Sequence, residues 1–505
     1  MDREKLKVEP YPAVLLIFLL AVSLFRIYYI QYGPLDLSPD EAHYWEWSRR
    51  LDLSYYSKGP MIAYLIRFST LLFGNTVLGV RFMAIIFSAL SSVFIYFLGK
   101  RLYDERVGIS SAVVLQIVPL FSAFGVLFTI DSPFIFFWVL SLFLLREAID
   151  SQSRTSNLRS HIYWLLLGFS IGLGLLTKYT MSFFYLCALL FLLFSKEHRR
   201  LLLTAAPYMS FIVSLLTFSP VIIWNVGHGW VTLKHTAGQA HVAEGLRMSL
   251  MSLLEFLGSQ LLVVTPLMFV LMAVSLRKLR KEREGSFLYW FSMPVIIFFL
   301  LKSIQAKVQA NWALPGYLTG IIAFSVSYVR SFSSDRKGKK ILTTATILVA
   351  IFITSVAHYS SILSIPKELD PASRLKGWED LGKEVTAVYD QMSLKKPVFL
   401  FSDRYQISSE LAFYVKGHPV TYCVNLGRRM NQYDLWPGFN DLLHYDAIFV
   451  RAGDGRVPVK IADAFRKVEK KAFTAYTKNH AGIRNYSIFL CYDFKGLEQV
   501  TPGSY

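Results

Sequence analysis

Leu37–Pro60 reads LSPDEAHYWEWSRRLDLSYYSKGP and follows the chain's first long apolar run. Ser38, Pro39, Asp40 and Glu41 spell a helix start: serine as the cap, proline in the first turn, and glutamate three residues after the cap to close a capping box. Both acids therefore have an ordinary structural explanation. Their location supplies a second one. The stretch sets two carboxylates, a set of aromatics and Lys58 in a polar loop at the mouth of a membrane bundle, where a membrane-embedded active site would be built.

The bundle is read from composition. Of 505 residues, 54% are hydrophobic and 17% charged, whereas about a quarter of a soluble protein's residues are charged; the mean hydropathy is +0.41. Several runs of about 20 apolar residues would each cross a hydrocarbon core, so the class is a polytopic α-helical membrane protein. The first run lacks a small-residue cleavage site and is expected to stay as an anchor. The net charge of +18 is explained by lysine and arginine of cytoplasmic loops, and no nucleic acid is expected. Three cysteines are too few for a disulfide framework, leaving room for one bridge between Cys423 and Cys491.

Apolar runs fall near residues 11–32, 77–99, 108–130, 132–149, 161–177, 179–195, 201–224, 251–276, 287–303, 311–329 and 341–359, about eleven spans. Met61–Phe73 is shorter, contains Arg67, and is expected to lie in the interface. With eleven spans, the basic stretches DREKLK, KRLYDER, Arg146–Arg159, KEHRR, RKLRKERE and Arg330–Lys340 all fall on one side. The positive-inside rule then makes the N-terminus cytoplasmic and the C-terminus extracytoplasmic. The opposite side collects Asp40, Glu41, Lys58, Asp131, Lys178, three histidines, and Lys302, Gln305, Lys307 and Asn311. Ionisable groups at a membrane boundary are costly enough to be functional candidates.

From about Pro366 the apolar runs shorten. KPVFLFSD, HPVTYCVN, YDAIFVRAG and Arg484–Phe494 read as strands and Ser408–Val415 as a helix, predicting a small soluble α/β domain. The expected organisation is a transmembrane domain over 1–360, with a first outer loop over 33–76, and an extracytoplasmic α/β domain over 366–505.

Each candidate residue has two explanations. Asp40 suits a general base taking a proton from an acceptor, and equally suits the positive end of a helix dipole. Glu41 is already used by the capping box. Lys58, beside Tyr55 and Tyr56, suits a phosphate at the membrane surface or simple snorkelling to headgroups. Asp131 in FTIDSPF sits between two spans and also reads as a helix cap. Lys178 in LLTKYT interrupts an apolar stretch at a tight turn. His228, His235 and His241 are spaced by seven and six residues, which matches no helical metal-ligand pair, and no metal is expected. No nucleotide-binding fingerprint or nucleophile elbow is found. In the tail, Arg404, Arg428, Arg429, Asn431, Tyr433 and Asp434 among aromatics suit a sugar or anionic acceptor, or a salt-bridged domain surface.

As an ordered set, SPDEAHYWEW, YYSKGP, TIDSPF and LLTKYT resemble the C-type integral-membrane glycosyltransferases, in particular protein O-mannosyltransferases and the bacterial aminoarabinose transferases of lipid A. DRYQ and NLGRRMNQYDLW are similar to the tail of bacterial members. The resemblance implies inverting transfer of a sugar from a polyprenyl phosphate donor to an extracytoplasmic glycolipid, polysaccharide or protein, in a bacterial inner membrane and without a cofactor. It implies Asp40 as catalytic base with Glu41 beside it, and Asp131 supporting the acceptor or base region. Lys58 and Lys178, with Tyr55 and Tyr56, would serve the donor phosphate, and Arg404, Arg428, Asn431 and Tyr433 the acceptor. A leaving phosphate flanked by cations with a carboxylate across the sugar is sound electrostatics. The rivals are a flippase for the lipid-linked sugar, which would carry its ionisable groups near the midplane in repeated halves, and a sensor whose tail binds a ligand.

Overall fold

A computed structural model of the chain describes residues 10–152, 157–239, 248–333, 337–360, 370, 372–476 and 482–498. The chain divides into two compact units: one comprises residues 1–29, 82–220 and 244–359, the other 30–81, 221–243 and 360–505. The loop over 33–76 and the tail fall in the same unit.

The first unit is helical, with a core that includes Trp138, Phe184, Phe291, Tyr317 and Ile321. Gly168 and Gly172 let two of its helices approach closely: a Cβ on Gly168 would meet Ser210 O at 2.3 Å, and one on Gly172 would meet Thr217 Cβ at 2.4 Å. Small residues four apart are how helices pack in lipid, where burial of apolar surface gives no drive. Outward faces such as Leu348 and Phe352, or Phe211, Ile212 and Leu216, are exposed and apolar, as a lipid-facing surface requires.

Across the described residues eight helices are long and apolar enough to cross a membrane, or nine counting one bent pair, rather than the eleven expected. The three differing runs are helical but broken. Run 108–130 stops at Ile117, because Val118 is extended before Pro119 restarts a five-residue helix. Run 179–195 contains a helix of only 12 residues, Phe183–Phe194, about 18 Å long at 1.5 Å per residue. Run 251–276 turns by 95° between Leu250–Val264 and Pro266–Leu279, where Thr265 takes φ +76. Prolines thus interrupt two runs that hydropathy alone joins, and the turn Tyr179–Ser182 shortens the third.

In the second unit the tail forms a five-stranded sheet in the order β2-β1-β3-β5-β4, with β1 Val398–Ser402, β2 Thr421–Cys423, β3 Asp446–Ala452, β4 Phe465–Tyr476 and β5 Gly482–Phe494. β1 pairs in parallel with β2 and β3; β5 pairs antiparallel with β3 and β4. Alternation puts Leu400, Ile448 and Ile488 in one core and Phe399, Phe401, Phe449 and Phe489 in another. Two-sided burial explains the continuous apolar runs of β1 and β3. The cysteines are all free and buried.

The helix Trp378–Ser393 begins after Gly377, which has φ +86 and no side chain to cap it. Asp36 from the first loop does so instead: its Oδ2 accepts from the backbone N–H of Trp378 at 2.8 Å and of Glu379 at 3.4 Å. The Asp36 N–H donates to Leu375 O at 2.8 Å, and the Leu37 N–H donates to the Tyr414 hydroxyl at 2.8 Å.

The helix Pro39–Ser48 carries the capping box read from sequence: Glu41 N–H donates to Ser38 Oγ at 3.2 Å, and Ser38 N–H to Glu41 Oε2 at 2.8 Å. Every residue from Glu41 to Ser48 is buried. Arg81 donates to Glu41 Oε1 at 2.8 Å and Oε2 at 2.9 Å, to Asp36 O at 2.6 Å and to Leu35 O at 3.1 Å. Trp45 meets Phe413 edge-on at 5.0 Å. One turn on, the Tyr433 hydroxyl donates to Glu46 Oε2. Burial raises the Glu46 carboxyl to about 7, against the opposing effect of that hydrogen bond.

Two outcomes follow from these contacts. Asp36→Ala removes a helix cap and should cost about 0.5–2 kcal/mol, read as a lower melting temperature in detergent, with Asp36→Asn milder. Because the folded Glu46 holds its proton more tightly than an unfolded glutamate, its contribution is present below pH 4.5 and lost as pH rises through about 7. Glu46→Gln should therefore flatten the decline in melting temperature between pH 5 and 8; an unchanged pH dependence would contradict the assignment.

Candidate active site

Asp40 is exposed and is followed by eight buried residues, so a surface carboxylate stands at the start of an otherwise buried helix. The Tyr405 hydroxyl donates to Asp40 Oδ1 at 3.3 Å. Burial, and next the negative charge of Asp40, hold the Tyr405 phenol well above its ordinary range, so it remains a donor. His43 packs against Tyr405 at 4.7 Å and Tyr433 at 5.6 Å. Burial lowers His43 to about 3, so the ring is neutral; its Nε2 accepts from Trp47 Nε1 at 3.2 Å, which puts the proton on Nδ1.

Glu41 is fully engaged by Ser38 and Arg81 and is 0% exposed. It anchors the helix that presents Asp40. Tyr55 is buried, stacked on Trp47 at 4.4 Å; its hydroxyl lies between the carbonyls of Trp47 and Arg50 at 3.1 and 3.0 Å. Tyr56 donates its backbone N–H to Gln432 Oε1 at 2.6 Å, and its ring packs on His235 at 4.7 Å. Both tyrosines build the turn that carries Lys58, whose carbonyl accepts from Tyr55 N–H at 3.1 Å. Lys58 is half-buried. His235 is lowered to about 3 by burial, then by the charges of Lys58 and Arg429, which marks a positive field around a neutral imidazole.

The helical unit holds a separate cluster. Lys178 Nζ donates to Asp131 Oδ1 at 2.7 Å, and Asn311 Nδ2 donates to Asp131 Oδ2 at 2.8 Å. Asp131 and Lys178 are 3% and 8% exposed. Mutual neutralisation with the remaining lone pairs satisfied is what allows a charge pair to be buried.

Of the tail residues, Arg428 grips Asp434 at 2.7 and 3.0 Å and donates to the carbonyls of Cys423, Val424 and Arg429. Asn431 Oδ1 accepts from Tyr433 N–H at 2.9 Å, and Tyr433 faces Glu46. These three hold the tail loop together; Arg404 is exposed. His228 stacks on Trp224 at 3.8 Å, and His241 lies outside the described residues. Among the described residues no group of three or more His, Cys, Asp or Glu is placed to hold a metal ion. Arg81, Tyr405 and Glu46 were not singled out by the sequence. Tyr405 stands next to Arg404 in the DRYQ motif, and Asn311 was noted only as one of the polar residues on the outer side.

Residues 57–224 match the family described as Dolichyl-phosphate-mannose-protein mannosyltransferase. The chain is 28% identical over 381 residues to the lipid A galacturonosyltransferase RgtD of Rhizobium johnstonii, covering 74% of this chain and 78% of that protein. It is 30% identical over 179 residues to the undecaprenyl phosphate-alpha-4-amino-4-deoxy-L-arabinose arabinosyl transferase of Pseudomonas aeruginosa, covering 32% of each. Among solved structures, ArnT from Cupriavidus metallidurans bound to undecaprenyl phosphate superposes with a TM-score of 0.64 at 15% identity, covering 94% of this chain and 97% of that one. The Archaeoglobus fulgidus oligosaccharyltransferase gives 0.56 at 14% identity, covering 89% and 70%. Together with the ordered outer-loop motifs, these relatives make the chain a glycosyltransferase similar to the C-type integral-membrane enzymes.

Proposed function

We propose that the protein transfers a sugar from a polyprenyl phosphate donor to a lipid A-type glycolipid at the outer face of a bacterial inner membrane, with the N-terminus cytoplasmic and the tail periplasmic. The observation that carries this reading is Asp40: an exposed carboxylate at the first turn of an otherwise buried helix, with the Tyr405 hydroxyl on one oxygen. An exposed carboxylate in that position suits the proton of an acceptor hydroxyl. As that oxygen bonds to the anomeric carbon, the bond from carbon to the phosphate oxygen breaks, the proton passes to Asp40, and the lipid phosphate leaves. The configuration inverts.

Lys58, with Arg429 sharing its field at His235, supplies positive charge for the leaving phosphate. Lys178 is already paired with Asp131, and that pair carries no net charge. The names of the curated relatives support a lipid-linked donor and a lipid A acceptor, which we favour over the protein acceptor in the matched family's description.

Asp40→Asn, assayed in purified protein with a synthetic polyprenyl phosphate sugar and a lipid A acceptor, should lower turnover by about 10²–10⁴-fold while melting like wild type. Retention of full transfer would remove Asp40 from the mechanism. A wild-type protein that moves the lipid across vesicles and forms no product would instead be a flippase.

A further inference from the structure

Tyr433 also lines a cavity of about 360 Å³, within the range of about 300–1,000 Å³ common for ligand sites. Arg50, Tyr422, Trp436, Asn440 and Asp441 line it as well. The Arg50 guanidinium lies 4.4 Å from the Trp436 ring centroid and, among the described residues, has no carboxylate within ion-pair distance. Arg428 differs in this respect, since its fork is filled by Asp434. That same pair neutralises Asp434, which also lines the cavity, so the wall does not repel an anion there.

A planar guanidinium laid on an aromatic face with its donors uncommitted matches a carboxylate or phosphate. The half-buried rings of Tyr422 and Trp436 offer apolar surface to the C–H face of a pyranose, while the exposed Asn440 and Asp441 at the rim offer partners for its hydroxyls. Tyr433 packs on His43, and His43 on Tyr405, the donor to Asp40. The cavity is therefore two ring contacts from the residue that holds the carboxylate.

We infer that this cavity binds a saccharide unit carrying an anionic substituent, a carboxylate or a phosphate, with Arg50 taking the anion and Trp436 and Tyr422 taking the ring. Only its purpose, holding the sugar portion of a glycolipid acceptor, rests on the transferase reading; the binding itself does not.

The test is direct binding to the full-length protein in nanodiscs, by calorimetry and saturation-transfer NMR, using glucuronic acid, glucose 6-phosphate, glucose and inorganic phosphate. Both anionic sugars should bind more tightly than glucose or phosphate. Arg50→Gln should weaken them roughly tenfold and erase the preference over glucose, and Trp436→Ala should weaken all three sugars. Asn440→Ala, at the exposed rim, should weaken the sugars without affecting phosphate, and serves if either other variant melts early. Asp40→Asn should leave all binding intact, so failure of the base assignment and failure of this site are read separately. Absence of sugar binding at millimolar concentration, phosphate binding as tight as that of the anionic sugars, or binding indifferent to Arg50→Gln and Asn440→Ala would each overturn the inference.

Discussion

The buried pair between Arg81 and Glu41 holds the start of the helix Pro39–Ser48 in place. Both side chains are shut off from solvent, and the arginine spends its remaining donors on the carbonyls of Leu35 and Asp36. Removing one partner of such a pair leaves an uncompensated charge, a loss of about 3–5 kcal/mol. The same guanidinium therefore fixes the strand of chain entering the helix and the first turn of the helix itself. Asp40 lies between those two points, so its orientation is set by bonds that its own carboxylate does not make. The exposed carboxylate and the buried carboxylate beside it that anchors the helix thus divide two tasks between adjacent residues.

The two carboxylate centres differ in kind. Asp131 is closed: an ammonium and an amide occupy its two oxygens inside the helical unit, and a buried carboxylate without them would be strongly penalised. Asp40 is open and has a phenol on one oxygen. The first arrangement is a buried pair without net charge, whereas the second sets its carboxylate at the protein surface. Sorting by exposure thus separates roles that residue type leaves equivalent.

Much of this was legible in the sequence because it rests on local rules. The capping box follows from residues three apart, and β1 and β3 follow from short apolar runs. Less legible were features that depend on partners far away in the chain. β4, FRKVEKKAFTAY, is an edge strand rich in lysine, which hides its period-two pattern and suits an unpaired edge. The breaks at Val118 and Thr265 depend on prolines inside runs that hydropathy joins. Arg428, Asn431 and Tyr433 looked like ligand-binding groups because they are polar and clustered; their hydrogen bonds turn out to be spent within the second unit. Arg50 and Trp436 carried no motif, and their pairing exists only once residues 386 apart in the sequence are folded together.

The cap that Asp36 places on the helix Trp378–Ser393 spans 342 residues of sequence. In order of synthesis, the carboxylate-bearing loop emerges first and the framework that orients it emerges last. A ribosome-bound chain carries Asp40 for most of its production without the sheet, Tyr405 or Tyr433. The surroundings of Asp40 are consequently assembled only once the tail has been made, and a product ended before Trp378 would carry the carboxylate without them.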